Sequence, residues 1–372
     1  MNILITGAAG FVGKNLTAAL QCIKEGKDRT HPTLEIDELF LYDVDSPKEL
    51  LEEACEKADF VFDAAGKIVS AGLVDLHVHM AGISSKVFGI HADLSCLPFG
   101  VTAAVDAGGG LGDRQLLDSF LVKNLVFAGI RILDNHANFE KTEQMLESYG
   151  DKVIGIKVYF DTSNPDVRDI TPLQEACRYA RERDLLVMVH CTGSPTSMAQ
   201  VLETLSPGDI LTHTYHGGQN TAAEDDFACI QAARQRGIII DAGFAGHVHT
   251  NFAVLRAAFE KGVYPDTIST DITNRSAYMR GGRYGLTMAM SFCRTLGMPE
   301  EAILKAVTTA PAKVVGNAQW GSLQVGGIAD IAVLDYADEA YDTTDSAGNR
   351  LQDSRGYRCL LTVANGQVVY KH

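Results

Sequence analysis

The sequence predicts an α/β protein whose largest part is a (β/α)8 barrel of the TIM type. Eight short apolar runs alternate with amphipathic helical stretches between residues 67 and 320, as expected of parallel strands joined by helical crossovers. A strand, a glycine-rich turn and a helix lie before them, within residues 1–66. Short strands with a hairpin turn at Asn365-Gly366 follow, within residues 321–372. We therefore expect three domains with these bounds: a Rossmann-like βαβαβ half-unit, the barrel, and the strands of a partial β-sandwich.

The bulk composition excludes several classes of function. The chain has 372 residues, of which 46% are hydrophobic, and a formal net charge of −15. This charge argues against a nucleic-acid-binding surface. No segment is apolar enough to span a membrane, and the N-terminus has no basic, apolar leader. The eight scattered cysteines without a C-x-x-C pair indicate free thiols in a reducing compartment. We expect a cytoplasmic protein that acts on a small molecule. The sequence is compatible with a homo-oligomer.

Residues 1–66 have the pattern of a nucleotide-binding half-unit. In "MNILITGAAGFVGKNLTAAL" a short strand leads through Gly7, Gly10 and Gly13 into a helix, and such glycines let backbone N–H groups approach a pyrophosphate. A second strand ends at Asp43, which could bind a ribose hydroxyl, and "DFVFDAAG" predicts a third strand. The stretch resembles the start of an extended short-chain dehydrogenase/epimerase of the sugar-nucleotide type. The resemblance implies NAD(P) binding at these four residues.

The catalytic residues of such dehydrogenases are missing from the sequence. Their Tyr-x-x-x-Lys pair occurs nowhere in the chain, and the second half of their sheet is missing too. We therefore expect a fused unit without catalysis, and we do not expect NAD(P) to serve the reaction.

The predicted barrel strands bring polar side chains to one end of the barrel, because active residues of this fold lie at the carboxyl ends of its strands. The strands are "GLVDLHVH", "GVTAAVDAG", "NLVFAGIRIL", "VIGIKVYFD", "LLVMVHCTG", "DILTHTYHG", "GIIIDAGF" and "DTISTDIT". The polar residues at or near their ends are His77, His79, Lys157, His190, His213 and Asp271.

These residues predict a metal site. Side chains two residues apart on a strand point the same way, so His77 and His79 both face inward. A pair of imidazoles converging from one strand suits Zn²⁺, Mn²⁺ or Fe²⁺. A lone histidine on a barrel strand is more often a hydrogen-bonded core residue. Six polar groups at strand ends would each need a partner of their own, however, and a shared metal cluster satisfies them together.

From about Asp63 to the C-terminus the sequence resembles the amidohydrolase superfamily. "GLVDLHVH" is similar to its first-strand motif, and the order His-x-His, Lys, His, His, Asp is similar to that of its binuclear members. "DAGGG", "FAGHVHTNFA" and "STDITNRSAYMRGGRYG" resemble a deacetylase-type group related to dihydroorotases.

The resemblance implies two divalent metal ions, with Zn²⁺ the first choice. His77, His79 and Asp271 would bind one ion, and His190 and His213 would bind the other. Lys157 would be carboxylated on its amine and bridge both ions. A hydroxide shared by the ions would attack a carbonyl, and Asp271 would carry the proton from the water to the leaving group.

Other residues are candidates for binding substrate. Tyr159 faces the same way as Lys157. His249 belongs to a second His-x-His pair, His247-x-His249, which we interpret as part of a substrate loop or as structural, not as a third metal site. A carboxylate clamp is predicted at three arginines, with solvated loop side chains as the alternative. They are Arg275, Arg280 and Arg283.

The sequence therefore predicts a binuclear metal-dependent deacetylase that hydrolyses an amide or ester bond of a small acylated acid. The alternatives are a dihydroorotase-like cyclic amidohydrolase, an NAD-binding sugar-nucleotide enzyme and an inactive fusion product. The fusion would join at "FDAAG" and replace the N-terminal strands that the resembled family places in its β-sandwich. Such a fusion would leave an unpaired edge on the sheet of the partial β-sandwich.

Overall fold

A computed structural model gives the fold of most of the chain from residue 64 onward. The described residues are 2–6, 24, 38–42, 62, 64–82, 88–108, 114–246, 248–279, 283–324, 327–337 and 341–372.

The described residues form strands and helices that alternate through the middle of the chain. The strands are β1 Asn2–Thr6, β2 Glu38–Tyr42, β3 Ile68–Ala71, β4 Leu73–Val78, β5 Val101–Ala107, β6 Lys123–Gly129, β7 Arg131–Leu133, β8 His136–Asn138, β9 Val153–Tyr159, β10 Leu186–His190, β11 Ile210–Thr212, β12 Ile239–Ile240, β13 Ile331–Ala337, β14 Tyr341–Thr344, β15 Arg350–Asp353, β16 Gly356–Ala364 and β17 Gln367–Lys371. The α-helices are α1 Ala92–Cys96, α2 Arg114–Ser119, α3 Glu140–Tyr149, α4 Thr171–Arg181, α5 Met198–Thr204, α6 Ala228–Gln235, α7 Phe252–Glu260, α8 Asn274–Met279, α9 Leu286–Thr295, α10 Glu300–Ala306 and α11 Thr309–Val314. Short 3-10 helices cover Leu97–Phe99, Gly150–Lys152 and Ala222–Asp225.

Seven parallel strands form the curled sheet of the barrel, in the order β12-β11-β10-β9-β6-β5-β4. The strands are apolar on both faces, as expected of a parallel sheet that helices cover. In α4 the buried residues Leu173, Ala176, Cys177 and Ala180 recur at helical spacing, so one face of the helix packs inward. The predicted α/β barrel class is confirmed.

The segment 266–272 occupies the eighth position of the barrel without forming a regular strand. Isolated parallel bridges join Thr267 to Asp241 at the end of β12 and Ile272 to Val78 of β4. We predicted a strand over this segment. Asp271 has φ 49°, which lies outside the β region and interrupts regular pairing.

A compact apolar cluster lies among the strands next to the polar strand ends. Met188 belongs to this cluster, and its Sδ lies 3.4 Å from Lys157 Nζ. The buried members are Leu76, Val105, Ala107, Phe127, Met188 and Ile210. Burial of these side chains removes apolar surface from water and fixes the strands that carry the polar residues.

A second sheet combines the last strands of the chain with one strand that precedes the barrel. Its order is β17-β16-β13-β3, and β3 pairs antiparallel with β13, Ala71 lying opposite Ile331. Residues 68–71, which the predicted boundary assigned to the barrel, therefore belong to the C-terminal sheet. The buried carboxylate of Asp330 accepts hydrogen bonds from Lys123 at the start of β6, which joins this sheet to the barrel.

Near the N-terminus, β1 and β2 pair in parallel from Asn2 opposite Glu38 to Thr6 opposite Tyr42. The residues predicted to bind NAD(P) lie outside the described residues, so that hypothesis stays a prediction; they are Gly7, Gly10, Gly13 and Asp43. Among the described residues, no helix combines the length and the hydropathy needed to cross a bilayer. The cysteines among the described residues are free thiols, namely Cys96, Cys177, Cys191, Cys229, Cys293 and Cys359.

Candidate metal centre

Two histidines at the end of β4 meet Asp271, which lies at the eighth position of the barrel. His79 Nε2 is 2.8 Å and His77 Nε2 is 3.2 Å from Asp271 Oδ1. All three residues are buried. One ligand atom from each lies within 4.8 Å of the others. The sequence predicted this group, and the alternation of side chains along β4 brings its histidines together.

A second group contains three histidines from neighbouring positions of the barrel. His190 ends β10, His213 follows β11, and His249 lies in the loop before α7. One ring nitrogen of each lies within 4.8 Å of the others. His249 Nε2 is also 3.6 Å from Asp271 Oδ2. The sequence interpretation placed His249 in a substrate loop, and nothing in its local pattern indicates that it meets the two strand-end histidines.

Lys157 of β9 connects the first of these groups with the barrel core. Its Nζ lies 3.0 Å from His77 Nε2, and its side chain is buried. Burial lowers the pKa of Lys157 to about 8, although Asp271, Asp241 and Asp106 each act to raise it. The amine therefore loses its proton far more readily than an exposed lysine does.

Three histidines of the site, His77, His190 and His213, are held in the neutral form. Burial, as the main cause, lowers the pKa of His77 and of His190 to about 3 and that of His213 well below its ordinary value. Burial alone would raise the pKa of Asp271, but the neighbouring His77 and His79 hold it well below the usual range. Neutral imidazoles and an ionised carboxylate are the ligands that Zn²⁺ and similar ions prefer.

An unpartnered atom in the second group supports a bound metal. Among the described residues, His213 Nε2 is one of the buried nitrogens without a hydrogen-bond partner. His213 Nδ1 donates to the carbonyl oxygen of Gly243 at 2.5 Å, so its Nε2 carries the free lone pair. A buried nitrogen without a partner is costly unless a ligand completes it. The donor set therefore fits a divalent cation.

Two buried carboxylates, which sequence reasoning did not place in a metal-binding role, position the first group. Asp106 Oδ2 accepts hydrogen bonds from the backbone of Met80 and Ala81, both at 2.7 Å, and so holds the chain that leaves His79. Asp75 Oδ2 accepts a hydrogen bond from Thr270 Oγ1 at 2.6 Å, and Thr270 directly precedes Asp271 in the chain. The sequence signal for Asp75 was an acid inside an otherwise apolar strand, and Asp106 is the first residue of the "DAGGG" stretch.

The backbone is strained where it presents ligands. His213 has φ 61° and Asp271 has φ 49°, a left-handed conformation that residues other than glycine rarely adopt. Such conformations cost free energy and persist where the surrounding structure imposes them, often at functional sites.

A cavity of about 720 Å³ opens above the two groups. Tyr159, His249 and Arg275 are among its lining residues, and the Tyr159 ring centroid lies 4.4 Å from that of His190. Arg283 is described and exposed, but it does not line the cavity. Arg280 and His247 lie outside the described residues. The roles predicted for these side chains stay predictions.

Comparison with known proteins identifies the family. The model of the amidohydrolase family matches residues 68–369. The chain belongs to the amidohydrolase family. A deacetylase of Enterococcus faecalis is 29% identical to this amidohydrolase over 325 residues, which cover 82% of this chain and 87% of the relative. A deacetylase of Brucella anthropi is 30% identical over 328 residues, covering 79% of each chain. This amidohydrolase is therefore a hydrolase that acts on carbon–nitrogen bonds.

Solved structures support the same fold. A dihydroorotase superposes with a TM-score of 0.72 at 26% identity, covering 82% of this amidohydrolase and 84% of the other chain. An adenine deaminase superposes with a TM-score of 0.74 at 24% identity and covers 91% of both chains, a likeness that concerns the fold alone. These matches do not support the predicted fusion to a dehydrogenase-like segment.

Proposed function

We propose that this amidohydrolase is a deacetylase that uses two divalent metal ions, Zn²⁺ in the first instance, to hydrolyse an amide or ester bond of a small acylated acid. The observation that carries the proposal is the position of Asp271. Its carboxylate lies 2.8 Å from His79 Nε2 on one side and 3.6 Å from His249 Nε2 on the other, between two groups of potential ligands at the base of one cavity.

Two bound divalent ions would polarise the substrate carbonyl and lower the pKa of a water molecule. His77, His79 and Asp271 would hold one ion, and His190 and His213 would hold the other, with His249 next to them. Neutral imidazoles need no deprotonation to bind. The sheet fixes the positions of the imidazoles other than that of His249, because each of them lies at or near the end of a buried strand.

Lys157 would bridge the ions as a carbamate. An ammonium group is a poor ligand and would be repelled by two cations. When the neutral amine attacks carbon dioxide, a C–N bond forms and one proton is released, so the group becomes an anion with two oxygen ligands. Burial supports this step because it lowers the pKa of Lys157 to about 8.

Asp271 would move the proton during hydrolysis. Its two oxygens reach both groups, so its carboxylate can accept a proton from water and deliver it to the nitrogen or oxygen of the leaving group. The low pKa of Asp271 keeps it ionised before the reaction.

A dihydroorotase-like cyclic amidohydrolase is the second candidate, supported by the solved dihydroorotase that superposes at 26% identity. Release of acetate from N-acetyl and O-acetyl acids, measured beside ring opening of dihydroorotate, separates the two. Acetate release with no ring opening supports the deacetylase, whereas ring opening alone would replace it with the cyclic amidohydrolase.

Metal content of the purified protein is the first test. We expect about two ions per chain by elemental analysis, falling sharply in Lys157→Ala. Lys261→Ala removes an exposed lysine paired with Asp226 and should leave the metal content unchanged. A folded wild-type protein that stays metal-free after supply of Zn²⁺ and bicarbonate would overturn the proposal.

A further inference from the structure

The walls of the cavity carry a charge opposite to that of the whole protein. The chain has 47 acidic and 32 basic residues. Among the described residues that line the cavity, the basic ones are Arg131, Lys141, Lys157 and Arg275, and the only carboxylate is that of Asp271. Lys157 and Asp271 lie in the proposed metal centre. Three further cations therefore surround the space in which the substrate must lie.

Arg131 and Lys141 form one wall of this space. Arg131 lies in β7 and Lys141 in α3, so both come from the excursion between β6 and β9. Arg275 lies in α8, after the eighth barrel position. Strands β4 and β5 separate the two walls in the barrel order.

These cations have no acidic partner in the described part of the chain. None of its carboxylates lies within 4.0 Å of the charged groups of Arg131 or Lys141, whereas Arg114, Arg168 and Arg183 are all paired with acids. An unpaired cation raises the local concentration of anions, and low-dielectric walls focus this field.

Apolar side chains accompany the cations. Phe88 and Val248 are exposed large apolar residues, and both line the cavity. Phe88 also packs edge-on against His79, with ring centroids 5.5 Å apart. Exposed apolar surface in a cavity is available to the apolar part of a ligand.

We propose that Arg131 and Lys141 form a subsite for the anionic group of the substrate, which selects an acylated acid over its neutral analogue. This inference rests on the proposed function and adds the specificity determinant to it. Arg131 offers a planar fork of N–H donors that matches a carboxylate, and Lys141 adds a point charge. The apolar part of the same substrate would lie against Phe88 and Val248.

Binding of two probes that cannot be hydrolysed tests the subsite without turnover. 3-Phenylpropanoate and 3-phenylpropan-1-ol have similar shapes, and only the first is charged. In calorimetric titrations of the metal-loaded protein, we expect the carboxylate to bind more tightly than the alcohol. Its affinity should fall about tenfold in Arg131→Gln and in Lys141→Gln, while alcohol binding stays constant. Arg256→Gln and Lys305→Gln change exposed cations away from the cavity and should leave both affinities unchanged.

Two results would overturn the subsite. One is equal affinity of the wild-type protein for the two probes. The other is wild-type affinity for the carboxylate in both cavity variants, since the anion would then be bound by the metal centre or by Arg275.

Hydrolysis assays separate the subsite from the proposed function. N-acetylphenylalanine has a carboxylate where N-acetylphenylalaninol has a neutral hydroxymethyl group. Released acetate reports the turnover of either compound. We expect Arg131→Gln and Lys141→Gln to lower kcat/KM for N-acetylphenylalanine by raising its KM. The kcat/KM for N-acetylphenylalaninol should not change. Charge-selective binding without any acetate release would support the subsite and contradict the deacetylase. Acetate release at equal rates from both compounds would support the deacetylase and contradict the subsite.

Discussion

His77 Nδ1 lies 3.1 Å from Thr212 Oγ1, and the hydroxyl of Thr212 donates its hydrogen bond to Asp241 Oδ2 at 2.7 Å. Because the single hydroxyl proton points to Asp241, the hydroxyl oxygen accepts a hydrogen bond from the Nδ1–H group of His77. The Nε2 atom of His77 is then the atom with the free lone pair, and it faces Asp271 and Lys157. Thr212 thus sets both the tautomer and the orientation of a proposed metal ligand.

Thr212→Val should weaken metal binding while preserving the fold. Valine has nearly the shape of threonine but cannot bond to His77 or Asp241. Loss of an outer hydrogen bond to a ligating histidine typically lowers metal affinity by about 10–100-fold. Competition with a chromogenic chelator measures this affinity. Thr204→Val is the control, since Thr204 lies on α5 and bonds to its own helix. Equal affinities in both variants would show that Thr212 does not position the ligand.

His249→Gln tests whether the third histidine of the second group binds metal. We expect the metal content to fall from about two ions per chain toward one, because His249 shares its space with His190 and His213. Elemental analysis gives the stoichiometry. His136→Gln, at an exposed histidine paired with Glu175, is the control. Unchanged metal content with a raised KM would instead assign His249 to the substrate, as the sequence interpretation did.

Gly243→Ala should destabilise the protein and disturb the site. A Cβ at this position would lie 2.2 Å from Thr212 Oγ1 and 2.7 Å from His213 Nδ1, and φ is +53°. Both the overlap and the left-handed backbone oppose a side chain. Gly262→Ala isolates the backbone effect, because φ there is +71° with nothing within 4 Å of the added Cβ. Thermal unfolding should show the larger loss for Gly243→Ala; similar losses would contradict the steric argument.

Lys123→Met should destabilise the contact between the barrel and the C-terminal sheet. The carboxylate of Asp330 is nearly fully buried, and Lys123 Nζ lies 2.7 Å from its Oδ2. Removing one partner of a buried pair leaves a buried charge, at a cost of about 3–5 kcal/mol. Urea denaturation measures the free energy of unfolding. The double variant Lys123→Met/Asp330→Asn should recover part of the loss, and no recovery would mean that packing, not charge, is lost.

The strand ends could be predicted from sequence because parallel strands share one carboxyl edge. His77, Lys157 and His190 all lie at or near the ends of apolar runs, so their convergence follows from the barrel itself. His249 could not be predicted in this way, because it lies in a loop with no periodicity. Arg131 and Lys141 gave no signal either, since exposed cations are common and only the tertiary fold shows that they line a cavity.

Local sequence patterns could not predict the irregular eighth position of the barrel or the pairing of β3 with the C-terminal sheet. The sequence from 266 to 273 alternates like a strand, but the left-handed backbone of Asp271 interrupts its pairing. Among the described residues, residues 68–71 pair with a strand at the other end of the chain. Neither feature is encoded within a short window of sequence.

The pairing of β3 with β13 has a consequence for protein synthesis. Ala71 lies opposite Ile331, so the entire barrel is translated before β13 can pair with β3. Contacts this distant in sequence form slowly, and in the meantime the edge of β3 is open to strands of other chains. A nascent chain that ends before residue 331 lacks β13, so a strand of another chain can pair with this edge of β3 in its place.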